Sequence, residues 1–236
     1  MAGRIDIHSH LLPGVDDGCE SLEDSIFCAR ELVAAGYTHC VCTPHVWPSF
    51  PKNNVAEIPP AVERLQRRLT EAGIALSLLP GGELNMRTDT RFTPSNELVS
   101  YGMRGRFVLI DLWAERLPVF FDPTVQALQA MGVTVILAHP ERMRAVQEHP
   151  ELADHFKSLG LLLQGNLQCF GDPIGSATRE TAERFLSENR YFALGSDLHN
   201  PRSMPVRFAG LSRVREAVGE DGLEQLTMIN PALLIA

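Results

Sequence analysis

Lysine is almost missing from this chain. Only Lys52 and Lys157 occur in 236 residues, and neither ends a strand-like run. That weighs against barrel hydrolases in which a modified strand-end lysine bridges two metals. No glycine-rich loop ending in Gly-Lys-Ser/Thr is present, so phosphate-loop nucleotide binding has no support. The five cysteines, Cys19, Cys28, Cys40, Cys42 and Cys169, are odd in number and lack framework spacing, as expected for reduced thiols of a cytoplasmic protein. Cys40 and Cys42 are read as pointing to opposite faces of one strand. No cysteine has an arginine six positions later, which removes the cysteine-x5-arginine loop of thiol phosphatases. No apolar stretch is long enough for a membrane span, and no apolar h-region follows Met1. The net charge of −8 disfavours broad binding to nucleic acid or anionic membranes. No linker, low-complexity segment or repeat divides the chain, so residues 1–236 are read as one domain.

What is there is a regular alternation. Apolar residues make up 44% of the chain, enough for a sizeable core. Seven strand-like runs alternate with helical patterns, which predicts a parallel sheet with crossover helices. The runs are nearly continuous in apolar residues, as in strands buried on both faces. Helices are predicted over about 22–35, with a capping-box spacing at Ser21 and Asp24, and over about 59–72. A third is predicted to open at Asp122-Pro123, and a short pair follows His139, broken at His149-Pro150. A further helix is predicted from Asp172-Pro173, and the chain after Pro205 reads as helical. The longest loop runs from Val46 to Ala56.

Six of the seven strand-like runs end in a residue of metal-binding type. Arg4 to Ile7 leads to His8 and His10, and Thr38 to Thr43 to His45. Leu76 to Leu79 leads through Pro80-Gly81-Gly82 to Glu83. Phe107 to Ile110 ends at Asp111, Val133 to Ala138 at His139, and Tyr191 to Gly195 at Asp197 and His199. Repeated at one end of successive strands, these residues describe ligands around the mouth of a barrel. A doubly wound open sheet is the alternative, but it would gather ligands at one switch point. Imidazole and carboxylate suit manganese, iron or zinc, and so many ligands suit two or three ions. Closely spaced ions polarise phosphate oxygens and make hydroxide available near neutral pH. Asp16 is a weaker candidate, because Asp16-Asp17-Gly18 also reads as a turn. Arg142 offers a bidentate fork to a phosphate; the plainer reading is a surface pair with Glu141 or Glu148. His39, His149 and His155 lie outside the strand ends and read as structural or surface residues.

The run His8-Ser9-His10-Leu11-Leu12-Pro13-Gly14-Val15-Asp16-Asp17-Gly18 resembles the opening of bacterial PHP-domain protein tyrosine phosphatases of the CpsB/YwqE type. Thr43-Pro44-His45, Gly82-Glu83, Ala138-His139-Pro140-Glu141-Arg142 and Ser196-Asp197-Leu198-His199-Asn200 follow in the family's order. The resemblance implies a distorted (β/α)7 barrel of the PHP type with a trinuclear centre, usually of manganese. It implies ligands at His8, His10, Asp16, His45, Glu83, Asp111, His139, Asp197 and His199, and a phosphate-binding Arg142. The family usually has glutamate where this chain has Asp111, one methylene shorter. The implied substrate is phosphotyrosine on an autophosphorylating tyrosine kinase that controls polysaccharide export, hydrolysed by metal-bound hydroxide. Trp47 and Phe50, in the loop after His45, are expected to pack on the substrate's ring. The alternatives are a PHP phosphatase of a small metabolite and a metal-binding regulator without turnover.

Overall fold

A computed structural model describes residues 3–236. Every strand pairing in it is parallel. One ladder joins β1 (Arg4–Ser9), β2 (Tyr37–Cys42) and β4 (Ser77–Pro80). The other runs from β3 (His45–Val46) through β5 (Glu83–Asn85), β6 (Phe107–Asp111), β7 (Thr134–Ala138) and β8 (Leu162–Asn166) to β9 (Ala193–Gly195). The strand segments therefore outnumber the seven runs expected, because two runs bend. Thr43-Pro44 separates β2 from β3, and Gly81-Gly82 separates β4 from β5. Proline has no N–H to give a ladder, and the chain crosses from one ladder to the other at both bends. A bond from the Glu83 N–H to the Pro44 carbonyl (3.1 Å) ties the bends together.

The sheet curls until its two ends meet. The Asp197 N–H donates to the His8 carbonyl, and the His10 N–H to the Leu198 carbonyl, each at 2.8 Å. Strand periodicity then divides the core in two. Val108, Ile110, Val135 and Leu137 face outward into a large layer beneath the helices. Leu109, Ile136 and Val41 face inward, where they meet Ile5, Ile7, Leu234 and Ile235. Tyr101 closes this inner core, its hydroxyl donating to the Ile7 carbonyl at 2.7 Å. Cys40 and Cys42 both lie in the outer layer, so they share a face, as residues two apart on a strand must.

The helices mostly fall where expected. α1 (Leu22–Ala34) starts from the Ser21–Asp24 capping box, and α2 (Ile58–Glu71) buries Ile58, Val62, Leu65 and Leu69. α3 (Phe121–Ala130) is not capped by Asp122, whose carboxylate instead meets His155 Nε2 at 2.9 Å. α4 (Arg144–Glu148) and α5 (Leu152–Ser158) are the predicted pair. Asp172-Pro173 opens no helix. It follows an unforeseen short α6 (Leu167–Gly171), and α7 (Ala177–Ser187) begins where the Ser176 hydroxyl caps it. A long α8 (Met204–Glu224), a π turn and α9 (Asn230–Ile235) finish the chain. No described helix is long and apolar enough to cross a membrane.

Candidate metal centre

The C-terminal ends of β1, β6, β7 and β9 and the bends that open β3 and β5 converge on one buried cluster. Its centre is Glu83, 1% exposed. Glu83 Oε1 lies 3.0 Å from His139 Nε2 and 3.5 Å from His8 Nε2. Its Oε2 lies 2.7 Å from His45 Nδ1 and 3.5 Å from His10 Nε2. Asp197 Oδ1 lies 3.4 Å from both His8 Nε2 and His10 Nε2 and 3.5 Å from His199 Nδ1. Three overlapping groups of potential ligands result: His8, His10 and Asp197; His8, Glu83 and His139; and His10, Asp17, His45 and His199.

The surrounding bonds leave lone pairs facing each other. His8 Nδ1 is 2.8 Å from Gln164 Oε1, and His10 Nδ1 is 2.7 Å from Asp16 Oδ2. With a proton on Nδ1 facing each acceptor oxygen, it is Nε2 of the neutral ring that is left to offer a lone pair to a cation. Those two Nε2 atoms then stand 3.3 Å apart. His45 Nδ1 and Glu83 Oε2, although 2.7 Å apart, lack hydrogen-bond geometry. Converging acceptors without donors are repulsive in a buried site unless protons or cations lie between them. The cluster therefore fits divalent ions by its own geometry.

Its charges point the same way. Burial disfavours the ionised carboxylates, but the charge of His8 and hydrogen bonds from neighbouring histidines hold Glu83 and Asp197 well below the usual carboxylate range. Burial pulls His139 down, yet its bond to Glu83 and nearby carboxylates push it up to about 9. His10 is also raised well above the ordinary value, burial being overcome by bonds to Asp16, Asp197 and Glu83. Burial, reinforced by the charge of His10, lowers His199 to about 4. Without metal, protons on His10 and His139 thus do the electrostatic work of cations.

The two adjacent aspartates have different surroundings. Asp16 is buried under His10, with Oδ2 also accepting from the His45 N–H (2.9 Å) and Oδ1 from the Gly18 N–H (3.0 Å). Asp17 Oδ1 instead lies 3.3 Å from His45 Nε2 and 3.7 Å from His199 Nε2, inside a ligand group. Asp111 stands at the margin, 4.0 Å from His139 Nδ1, and its buried Oδ2 has no partner. Burial raises its carboxyl to about 6 despite the nearby charge of His139.

Arg142 turns toward the cluster. Its Nη1 donates to Asp197 Oδ2 at 3.0 Å. Glu148 pairs with Arg144 instead, and Glu141 is fully buried, accepting from the Asn166 N–H at 2.7 Å. Trp47 packs on His45, ring centroids 3.9 Å apart, with Phe50 at 6.0 Å. The space these two line is bordered by Leu84, Asn85 and Phe92 and by no residue of the ligand groups.

Several supporting residues have no ligand-like signature in sequence. β8, the strand without a terminal ligand, supplies Gln164 beneath His8 and Asn166, whose Nδ2 donates to Asp197 Oδ2 at 2.6 Å. Their signal was position alone, amides at the end of a strand whose neighbours end in ligands. Asp6 accepts from the Ser196 N–H at 2.9 Å and from its hydroxyl. Arg207 donates to the carbonyls of Ser196 and Asp197. These bonds hold Asp197 at φ 50°, a left-handed conformation unusual for a non-glycine residue. His139 is likewise at φ 32°.

Comparison with known proteins agrees with this geometry. The chain is 29% identical over 199 residues to the tyrosine-protein phosphatase YwqE of Bacillus subtilis, covering 84% of this chain and 78% of that one. It is 24% identical over 212 residues to the putative tyrosine-protein phosphatase CapC of Staphylococcus aureus, covering 90% and 83%. A solved structure described as YwqE from Bacillus subtilis and CpsB from Streptococcus pneumoniae, unique metal-dependent tyrosine phosphatases, matches with a TM-score of 0.90 at 28% identity, covering 98% of this chain and 94% of that chain. The family described as capsular polysaccharide synthesis, CpsB/CapC, matches residues 4–236, and with its curled parallel sheet and buried histidine–carboxylate cluster this chain belongs to it.

Proposed function

We propose that this chain is a metal-dependent phosphomonoester hydrolase that removes phosphate from phosphotyrosine. The protein substrate in this reading is an autophosphorylating tyrosine kinase of polysaccharide export; the family's description supports the polysaccharide setting and the relatives' names the phosphotyrosine. The observation that carries the catalytic reading is the facing pair of His8 and His10 Nε2 lone pairs, each set by a partner at Nδ1. Two or three ions, manganese first and iron or zinc next, fit a nitrogen and oxygen donor set without thiols. When bound, such ions polarise phosphoryl oxygens and lower the pKa of water enough for attack on phosphorus.

The proposed ligands are His8, His10, Asp17, His45, Glu83, His139, Asp197 and His199, with Asp111 at the edge of the His139 side. Asp16 then orients His10 rather than binding an ion. Arg142 holds Asp197 and directs its remaining donors to the phosphate, a planar fork suited to two oxygens. Trp47 and Phe50 are placed to steady the His45 ring. The fold is a single-domain, distorted seven-strand barrel if each bent pair, β2 with β3 and β4 with β5, counts as one strand. A cytoplasmic setting is supported by five buried cysteines, all unpaired.

The test is turnover of manganese-loaded protein on a phosphotyrosine peptide, a phosphoserine peptide, a sugar phosphate and an oligonucleotide. Phosphotyrosine should be preferred, since a phenol leaves more readily than an alkyl alcohol. His10→Ala and Asp197→Ala should lose both metal and activity, while Cys42→Ala keeps both. Preference for the sugar phosphate would move the function to a metabolite phosphatase. Metal binding without turnover on any substrate would make the chain a regulator.

A further inference from the structure

A cavity of about 350 Å³ opens beside the histidine–carboxylate cluster, within the usual size range of small-ligand sites. Its lining joins two kinds of residue. Asp111, His139 and Arg142 belong to the cluster or touch it, and Leu112, Trp113 and Met143 are apolar. Among the described residues lining it, Trp113 is the one aromatic besides His139. It sits two residues beyond Asp111, on the loop leaving β6, and is 65% exposed. Arg142 links the halves, with Nη1 3.0 Å from Asp197 Oδ2 and Cζ 5.4 Å from the centroid of the Trp113 ring.

We infer that Trp113 is the specificity residue that receives the aromatic ring of an aryl phosphate whose phosphate lies against Arg142. This rests on the phosphatase reading above and names its substrate contact. One ester oxygen separates phosphorus from the ring in phosphotyrosine. A phosphate at Arg142 therefore carries its ring into the same cavity, within range of offset or edge-to-face contact with the indole. The Met143 thioether suits the ring edge. Trp47 and Phe50, the aromatic pair suggested by the sequence, are poorly placed for this role. Trp47 spends its face on His45, and their cavity does not touch the ligand groups.

The test is binding rather than turnover, so that it stands apart from the catalytic reading. Dissociation constants of benzylphosphonate, whose phenyl ring stands one methylene from phosphorus in place of the ester oxygen, and of methylphosphonate are measured by calorimetry on manganese-loaded wild type, Trp113→Ala and Trp113→Phe. The preference for benzyl over methyl should fall about tenfold in Trp113→Ala and be largely kept in Trp113→Phe, as loss of one aromatic contact and its buried area implies. Equal weakening of both ligands would show that Trp113 acts only through Arg142 and overturn the inference. An unchanged preference, or failure of wild type to favour the benzyl ligand, would overturn it too. Absence of phosphotyrosine turnover with the benzyl preference intact would instead remove the catalytic reading.

Discussion

At the scale of single residues, several proposed ligands rest on a partner that fixes a proton or an angle, His8 on Gln164, His10 on Asp16 and Asp197 on Asn166 and Arg142. Arg142 shows how much rests on geometry rather than charge. Lysine would keep the charge but lose the fork, and with it either the Asp197 contact or the phosphate contact. Arg142→Lys should therefore lower turnover about 10²- to 10³-fold, the usual loss for one transition-state donor. Metal content measured on the same samples separates a phosphate role from a weakened Asp197. Equal rates for the two proteins would remove Arg142 from the chemistry. Protonation gives a second expectation. With His139 up at about 9 and His10 also raised, the metal-free fold gains stability that is fully present below about pH 6.5 and is lost as pH rises through about 9. Glu83 and Asp197, with lowered pKa values, act in the opposite sense: their contribution is lost only in acid. Metal must displace the histidine protons. Manganese affinity should thus climb from about pH 6.5 to about 9, with at least one proton released on binding near neutral pH. Calorimetry in buffers of different ionisation enthalpy measures that release, and a value of zero would refute the protonated cluster.

At the scale of elements, the bends matter as much as the strands. Gly82 brings the β4–β5 backbone so close that an added Cβ would lie 2.7 Å from Val46 Cγ2 and 2.7 Å from Val99 Cγ1. Both neighbours are β-branched and stiff. Gly82→Ala should cost about 1–3 kcal/mol, as overpacking in a tight core does, and should move the adjacent Glu83. Thermal unfolding gives the first effect and metal titration the second. Full stability with wild-type metal affinity would mean that the bend tolerates a side chain and that Glu83 is positioned by something else. β8 teaches a related lesson. It carries no proposed ligand, yet its amides reach two of them beyond its own strand, Gln164 to His8 on β1 and Asn166 to Asp197 after β9.

At the scale of the whole molecule, the cluster joins the two ends of the chain's sheet. His8 and His10 come from β1, while Asp197 and His199 follow β9, and backbone bonds cross between them. Ions bound there would exist only in the folded state and would stabilise it by mass action. Stripping metal with a chelator should lower the melting temperature by about 5–15 °C, from roughly 3–4 kcal/mol of linkage at ligand concentrations 10²- to 10³-fold above Kd, in a chain of this size. Manganese should restore it. A melting temperature indifferent to both treatments would mean that the cluster holds no ion tightly.

The alternation of strands and helices, the capping box of α1 and the strand-end positions of His8, His45, Glu83, His139 and Asp197 were legible in the sequence. Periodicity and caps are local, and a parallel sheet puts like ends of its strands together. The different surroundings of Asp16 and Asp17 were not legible, because two adjacent carboxylates differ only in what the fold places beside each. Asp16 meets His10 Nδ1, and Asp17 the outer faces of His45 and His199. Nor could the sequence show that Glu141 is buried, that Arg142 turns to Asp197, or that Trp113 rather than Trp47 borders the cavity at the cluster. Those are contacts between segments far apart in the chain. They were decided when the sheet bent at Pro44 and Gly82 and closed on itself, since only then do the side chains at the strand ends share one volume and compete for the same partners.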